Sequence, residues 1–151
     1  QEQTGFIYDP QDFALLGEFH YMTEGWGLTT DGTSLIMSDG SDQLHFLSPQ
    51  NLTKEKSIQV TSNQIPVHRL NELEMDEIWA NIYQTSCIVR IDPASGAVKG
   101  WIDISGLLSL DEAAFAQVPN GIAYDSDTDL LLLTGKFWPR LFRVEIIPKT
   151  R

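Results

Sequence analysis

Cysteine and long apolar runs are both scarce in this chain of 151 residues. Cys87 is the only cysteine, so the sequence offers neither an internal disulfide nor a cysteine-rich metal site. A single cysteine is compatible with any cellular compartment. The longest clear apolar run is the four leucines at 130–133. This run has the length of a strand and falls far short of a membrane-spanning helix.

Positive charge is also scarce, with 10 lysines and arginines against 21 acids and a net charge of −11. A surface of this sign repels nucleic acid and anionic membranes, and the bases are too scattered to form a local patch. We therefore expect neither nucleic acid nor a membrane as a partner. The content of 42% hydrophobic and 21% charged residues favours one globular domain over a disordered chain.

Familiar catalytic and metal-binding motifs are absent from the sequence. His20, His45 and His68 are widely spaced and lack a ligand pattern such as His-x-x-x-His. There is no Gly-x-Ser-x-Gly elbow and no phosphate-binding loop. The aspartates that fall in predicted turns are Asp39, Asp42, Asp125, Asp127 and Asp129. Aspartate is ordinary in turns, so a calcium site there is only a minor alternative.

A repeated unit of short strands organises the chain, with copies at 25–49, 71–93 and 120–145. Each copy reads as an inner strand, a turn, a hydrophobic strand, a polar loop and an alternating third strand. A fourth strand follows in the first two copies, at 56–61 and 98–102. Four short strands repeated with a period of roughly 40–50 residues are typical of a β-propeller blade.

A meandering all-β sandwich is the alternative to a propeller. The recurrence of one turn at the same place in the unit argues against it. That turn ends in proline and occurs at Asp9-Pro10, Ser48-Pro49 and Asp92-Pro93.

The middle copy is the most regular one. Residues 70–86 read as two strands joined by a tight turn at Met75-Asp76-Glu77. Three amide side chains, Asn71, Asn81 and Gln84, flank or interrupt its apolar pattern. An amide beside a packed strand either caps the strand or is directed at a ligand.

One segment departs from the strand pattern. Residues 109–117 open with a capping box formed by Ser109 and Glu112 and continue in good helix formers. We expect a short helix inserted between blades. Such a helix either lies over a propeller face where ligands enter or only covers an edge.

The first unit lacks its inner strands, because residues 5–8 already read as a third strand. We therefore expect the chain to begin within a blade, to carry about three and a half blades, and to be the C-terminal portion of a larger protein. The predicted parts are the end of an incomplete blade at 1–22, blades at 23–66 and 67–104, a helical insertion at 105–118 and the last blade at 119–148.

Several strings in fixed order carry a resemblance to a known family. They are GFIYD at 5–9, GWGL at 25–28 with TDG at 30–32, SDG at 38–40, LNELE at 70–74 with WAN at 79–81 and QT at 84–85, GWI at 100–102, NGIA at 120–123 and TGKFWP at 134–139. In their order and spacing the sequence resembles the plant and bacterial glutaminyl cyclases (glutaminyl-peptide cyclotransferases). The resemblance extends over essentially the whole chain and only the later part of the family's length.

The resemblance implies a fold, a reaction and partners. The fold is a five-bladed β-propeller, and the reaction converts an N-terminal glutamine into pyroglutamate with loss of ammonia. Its substrate is a peptide or protein with an N-terminal glutamine, and the missing N-terminal blades come from the same polypeptide or a second chain. No cofactor is required, although a structural divalent ion in the propeller channel stays open. The implied location is extracytoplasmic, periplasmic or secreted, with no signal segment in this chain.

The same resemblance implies roles for four residues. Trp26 would line the pocket and stack on the glutamine side chain, unless it is a core tryptophan. Asn71 would hold the substrate amide or its oxyanion, the alternative being a capped strand end. Lys136 would place a cation near the reacting carbonyl, unless it is an exposed turn lysine. Tyr83 stands where the family commonly has a pocket tryptophan, which predicts a wetter pocket or a different preference for the second residue.

The family's acid/base glutamate lies in the early blades, and we expect it to be missing here, because Glu24 is not a match to it. The chain alone is then expected to be inactive. Trp79, Trp101 and Trp138 are predicted to pack between blades. A non-catalytic propeller module that binds peptides or a protein partner is the main alternative. A propeller lactonase or hydrolase is a third, but it usually needs a calcium-binding ring that the sequence does not show.

Overall fold

The computed structural model of the chain describes residues 3–75 and 77–147. Over these residues the fold is all-β with almost no helix. The strands are β1 (Thr4–Tyr8), β2 (Leu15–His20), β3 (Gly27–Thr30), β4 (Leu35–Ser38), β5 (Gln43–Leu47), β6 (Lys54–Gln59), β7 (Thr61–Ser62), β8 (Ile65–Pro66), β9 (Leu70–Met75), β10 (Ile78–Ile82), β11 (Cys87–Ile91), β12 (Val98–Asp103), β13 (Pro119–Asp125), β14 (Leu130–Gly135) and β15 (Phe142–Val144), and the helix is α1 (Leu110–Ala113).

Three larger antiparallel sheets hold most of these strands. The first sheet has the order β3-β4-β5-β6, the middle sheet β9-β10-β11-β12 and the last sheet β13-β14-β15. Two-stranded sheets, β1-β2 and β7-β8, complete the described part. Because consecutive strands pair within each larger sheet, the first strand of each lies at a sheet edge.

The first strands of the three larger sheets lie beside one another, since β9 contacts both β3 and β13. The strands β3 and β9 approach closely at Gly27, where an added side chain would overlap the backbone carbonyl of Asn71. Glycine at this position therefore lets β3 and β9 come together.

The core lies between the larger sheets in two clusters. The first cluster joins the first and middle sheets through residues that include Ile36, Leu44, Phe46, Leu70, Leu73, Ile78, Ala80 and Val89. The second cluster joins the middle and last sheets through Trp79, Ile88, Ile122, Leu131 and Leu133, with Ile104 from the loop after β12. Side chains alternate between the two faces of a strand, so the middle sheet is buried on both faces.

Several boundaries differ from the sequence-based prediction. The fourth strand predicted at 56–61 is β6, which ends at Gln59, and Thr61 belongs to the unpredicted hairpin β7-β8. The helix keeps its predicted capping box but stops at Ala113. It does not reach Gln117, whose backbone N–H donates to the carbonyl of Lys136 instead (2.8 Å).

The tryptophan prediction is correct in part. Trp79 belongs to the second cluster, and Trp138 packs against it. Trp101 is 52% exposed and belongs to neither core cluster; within the described residues, its link to another sheet is the hydrogen bond from its indole N–H to the Ser62 hydroxyl of β7 (3.2 Å). The alternating strand β12 turns Trp101 away from the core face.

Some predictions fall outside the described residues. These are the turn residue Asp76 and the outer limits of the first and last predicted parts, at 1–2 and 148. Within the part of the chain that the structure describes, no helix has the length and hydropathy needed to cross a membrane.

Candidate active site

The four predicted site residues all fall at one end of the larger sheets. In an antiparallel pair, the start of one strand lies beside the end of the next. Trp26 immediately precedes β3 and Asn71 is the second residue of β9, whereas Tyr83 follows β10 and Lys136 follows β14. The structure brings them together around a cavity of about 260 Å³, lined by Gly25, Trp26, Asn71, Tyr83, Asn120 and Lys136.

Trp26 is seated on the turn between β4 and β5. Its backbone N–H donates to the carbonyl of Ser38 (3.0 Å), and its indole N–H donates to a carboxylate oxygen of Glu24 (2.8 Å). Gly40 has a φ of +82°, and an added Cβ there would lie 2.6 Å from the indole ring. The turn and the indole are therefore in direct contact, and glycine is required for both conformation and space.

The aromatic rings and the ammonium group follow one another across the cavity. The edge-on contact of Trp26 and Tyr83 has ring centroids 5.2 Å apart and an interplanar angle of 70°, a favourable aromatic geometry. The Lys136 ammonium lies 5.9 Å from the Tyr83 ring centroid, within cation–π range. Tyr83 thus links the indole on one side with the cation on the other.

A buried hydroxyl ties Asn71 to the first sheet. Ser38 is fully buried and Asn71 is only 5% exposed. The Ser38 hydroxyl donates to the backbone carbonyl of Asn71 (2.7 Å) and accepts from the backbone N–H of Gly27 (2.9 Å). Ser38 therefore positions both sides of the cavity, a role that sequence reasoning did not find.

Asn71 lies at a β-bulge in β9. Leu73 pairs with Ala80 and Leu70 pairs with Ile82, so Asn71 and Glu72 share one partner position, Asn81. Bulges bend a strand locally and redirect its side chains. The bulge therefore determines where Asn71 lies near the start of β9.

Lys136 is anchored through its backbone while its side chain is exposed. Its N–H donates to the carbonyl of Val118 (3.0 Å), and its carbonyl accepts from Gln117 (2.8 Å). Among residues 3–75 and 77–147, no acid lies within ion-pair distance of its ammonium. Within the described part of the chain, the ammonium at the cavity edge therefore has no ion-pair partner.

Sequence reasoning missed Asn120 as a lining residue. The signal was available, because the repeat aligns Asn120 with Asn71. Each asparagine is the second residue of the first strand of a sheet, and the structure places both at the same cavity.

A larger cavity of about 410 Å³ adjoins the first through Gly25 and Trp26. It lies between β1-β2 and the first sheet and is lined mainly by apolar residues, with Glu72 as its carboxylate. Burial, with the nearby Glu74 carboxylate adding repulsion, raises the pKa of Glu72 above its ordinary value.

A buried polar network supports the turn under Trp26. One ring nitrogen of His45 lies 2.9 Å from an Asp39 carboxylate oxygen, and the other lies 2.9 Å from the Ser57 hydroxyl. Burial of Asp39 favours the neutral acid, but hydrogen bonds from Ser41 and His45 outweigh it and lower the pKa of Asp39. His45 thus has a structural partner on each side, and within the described residues no group of three or more His, Cys, Asp or Glu side chains could hold a metal ion.

The lining of the smaller cavity defines its chemistry. Two aromatic rings provide walls for an apolar stem, two carboxamides offer hydrogen bonds, and one ammonium can stabilise an oxygen that gains negative charge. None of the six lining residues is a carboxylate. The cavity can therefore hold a side chain with an apolar stem and a polar, hydrogen-bonding end.

Comparison with known proteins gives consistent results. A family model described as glutamine cyclotransferase matches residues 1–146. Over 150 residues the chain is 42% identical to a glutaminyl-peptide cyclotransferase from Arabidopsis thaliana, covering 95% of this chain and 47% of that protein. The chain thus spans about half the length of this curated relative.

Solved structures agree with the sequence comparison. The crystal structure of Myxococcus xanthus glutaminyl cyclase superimposes with a TM-score of 0.83 at 35% identity, covering 95% of this chain and 64% of that one. A chain of the mitotic checkpoint complex superimposes with a TM-score of 0.58 at 13% identity, covering 87% of this chain and 38% of that chain. The second likeness concerns the fold alone.

Proposed function

The chain belongs to the glutamine cyclotransferase family, and on that premise we propose that it is part of a glutaminyl-peptide cyclotransferase. The reaction converts the N-terminal glutamine of a peptide or protein into pyroglutamate and releases ammonia. The observation that carries the proposal is the cavity at which Trp26, Asn71, Tyr83 and Lys136 meet.

Four of the six lining residues have roles in this proposal. The rings of Trp26 and Tyr83 enclose the methylene stem of the substrate glutamine. Asn71 holds its carboxamide by hydrogen bonding, and the Lys136 ammonium faces its carbonyl oxygen. Together they fold the side chain back toward the α-amine, and such positioning supplies a large part of the acceleration in intramolecular reactions.

The bond changes follow from this arrangement. The neutral α-amine, available near its pKa of about 7.7–8.0, attacks the side-chain carbonyl carbon, and a C–N bond closes the ring. The oxygen gains negative charge, which Lys136 stabilises. The bond to the side-chain nitrogen then breaks, and that nitrogen leaves as ammonia after gaining the proton that the ring nitrogen loses. We assign this proton transfer to a carboxylate outside this sequence, because none lines the cavity.

We further propose that the sheets are successive blades of a five-bladed propeller, of which this chain carries about three and a half. The β1-β2 pair would be the outer half of a blade (1–22), followed by blades at 23–66 and 67–104, an insertion at 105–118 and a last blade at 119–148. The side-by-side packing of β3, β9 and β13 supports this arrangement. The remaining blades would come from the part of the family's length that this chain does not span.

The proposal also covers partners and location. The partners are a substrate with an N-terminal glutamine and the remaining blades, rather than nucleic acid or a membrane, because the net charge is −11. The reaction as written requires no cofactor, and a divalent ion in the channel would have only a structural role. An extracytoplasmic location rests on the family.

The experiment compares this chain with a completed protein. We define the completed protein as this chain joined to the part of the Arabidopsis relative that it does not match. With a Gln-initiated peptide, the completed protein should release ammonia and this chain alone should not. A well-folded completed protein that releases none contradicts the catalytic proposal.

A non-catalytic binding module is the second candidate, and Tyr83 favours it. The phenol replaces the tryptophan expected from the family and contacts Trp26 edge-on, so it occupies part of the pocket wall. Such a module would bind peptides through the same cavity without turnover. If the module only binds, Asn71→Ala and Lys136→Ala would change the affinity for the peptide and nothing else. Under the catalytic proposal, both substitutions would abolish most of the cyclisation.

A further inference from the structure

Asn120 lies at a second β-bulge that repeats the one at Asn71. In the last sheet Ile122 pairs with Leu133 and Pro119 pairs with Gly135, so Asn120 and Gly121 share the single partner position of Thr134. Asn71 and Glu72 share Asn81 in the same way in the middle sheet. Bulges are enriched beside active sites, where they redirect a side chain.

Gly121, the second residue of this bulge, determines how close the bulged strand lies to β14. A side chain at Gly121 would contact the methyl group of Thr134 at 2.6 Å, so glycine lets the bulged strand lie close to β14. The glycine at position 121 therefore favours the bulge, and the bulge holds Asn120 at the cavity edge.

The carboxamide of Asn120 has an unused acceptor. Its side-chain oxygen is buried and accepts no hydrogen bond from any described residue, although the residue is half-buried and lines the cavity. A buried side-chain oxygen without a partner calls for an explanation, and the position of Asn120 at the cavity makes a bound ligand one such partner. Rotation about χ2, which is soft in asparagine, can turn this oxygen toward a ligand in the cavity.

The choice of partner follows from the neighbouring charge. A pocket whose main polar group is the Lys136 ammonium would favour a glutamate side chain, because a carboxylate is negative and a carboxamide is neutral. A hydrogen-bond acceptor in the same lining would shift the preference toward a carboxamide. A carboxamide offers N–H donors to that acceptor, whereas an ionised carboxylate offers only oxygens.

We propose that Asn120 determines specificity by accepting a hydrogen bond from the side-chain NH₂ of the substrate glutamine, so that the site selects glutamine over glutamate. This inference rests on the proposed function, since it names the recognition step of the same cavity. Sites that hydrogen-bond a substrate group reject analogues lacking it, because the site's own polar group is then left unpaired.

The test measures binding rather than turnover. Two peptides that differ only in an initial glutamine or glutamate are titrated calorimetrically into the completed protein at about pH 6, where most α-amine is protonated and attack is slow. The unsubstituted protein should prefer the glutamine peptide. Asn120→Ala should lower the ratio of the two affinities at least about tenfold, chiefly by weakening the glutamine peptide.

Two further variants serve as controls. Asn81 also has a buried, unpaired side-chain oxygen but does not line the cavity, so Asn81→Ala should leave the ratio unchanged. Asn120→Asp keeps acceptor oxygens in the same shape, and it should retain glutamine binding and reject glutamate more strongly. If both affinities fall together in Asn120→Ala, or if Asn120→Asp loses the preference, the inference is overturned.

Failure of this inference can be separated from failure of the proposed function. If the completed protein forms pyroglutamate while Asn120→Ala leaves the affinity ratio unchanged, the role of Asn120 is wrong and the function stands. If the ratio responds as expected but no pyroglutamate forms near pH 8, the recognition role stands and the catalytic function fails. A completed protein that does not prefer the glutamine peptide overturns the inference directly.

Discussion

At the residue scale, the chemistry of the candidate site depends on neighbouring side chains that differ in charge and in burial. Lys136 provides a charge without an acidic partner among the described residues, and Tyr83 places a π face 5.9 Å from it. Asn71 is buried, whereas Lys136 is exposed. Binding of a substrate would exclude water from the ammonium, which strengthens its interaction with a developing oxyanion.

We predict that Lys136→Ala in the completed protein lowers kcat about 10²- to 10³-fold, the usual effect of removing one oxyanion-stabilising group. The KM should change much less, since the charge to be stabilised develops mainly in the transition state. Steady-state kinetics with a Gln-initiated peptide measure both constants. Lys136→Arg keeps the charge and should retain more activity; equal losses in the two variants would contradict an electrostatic role.

Glu72 gives a pH-dependent prediction for this chain. Its pKa is raised by burial, so the folded state holds this proton more tightly than the unfolded state does. The contribution of Glu72 to stability is therefore fully present at pH values below its ordinary pKa of 4.5. This contribution is lost as the pH rises through the pKa of the folded state.

We accordingly expect Glu72→Gln to raise the melting temperature at pH 7 and to leave it nearly unchanged at pH 4. Glu55→Gln, at an exposed position of β6, is the matched control and should show little effect at either pH. Thermal unfolding at the two pH values measures the difference. An equal gain at both would mean that ionisation of Glu72 is not responsible.

At the element scale, turns and bulges direct the site residues, while the strands only provide the frame. The turn between β4 and β5 supports Trp26 through Gly40, and the Asp39–His45 pair holds the same turn in place. Bulges in β9 and β13 carry the two asparagines. A substitution in such a turn should therefore disturb the geometry of the site more than it disturbs the strands of the fold.

Two glycines allow this idea to be tested. Gly40 and Gly32 have positive φ values of 82° and 80°, so alanine costs each roughly 1 kcal/mol of backbone strain. Only at Gly40 would the added Cβ contact the indole of Trp26, because Gly32 has no neighbour within 4 Å. We predict that Gly40→Ala raises KM severalfold and shifts the tryptophan emission, whereas Gly32→Ala leaves KM unchanged. Similar KM values for the two variants would contradict the supporting role of the turn.

Sequence periodicity predicted the middle strands well, because Leu73 and Met75 alternate with acids in β9 and apolar residues recur at every second position of β10. It missed the hairpin β7-β8, whose strands have only two residues each. Ser38 was missed for a different reason, because its role depends on a contact between two sheets, which no local pattern encodes. Asn120 was missed although the repeat aligns it with Asn71. Trp26, Asn71, Tyr83 and Lys136 were identified through the family resemblance, and their chemical roles stay predictions.

At the scale of the whole molecule, the cavity exists only because three sheets meet. Trp26 comes from the segment before the first sheet, Asn71 and Tyr83 from the middle sheet, and Asn120 and Lys136 from the last sheet. The two core clusters lie between these same sheets, so burial of apolar surface sets the relative positions of the site residues. The chain spans 47% of the curated relative's length, and we assign the acid/base group to the remainder.

A labelled substrate tests the central claim most directly. A peptide whose N-terminal glutamine carries ¹⁵N in its side-chain amide is incubated with the completed protein near pH 8 and followed by mass spectrometry. We predict that the peptide becomes lighter by one labelled ammonia, that the ring nitrogen is unlabelled, and that Lys136→Ala slows this change. A peptide that stays intact, or one converted to glutamate by water, would contradict cyclisation at this cavity.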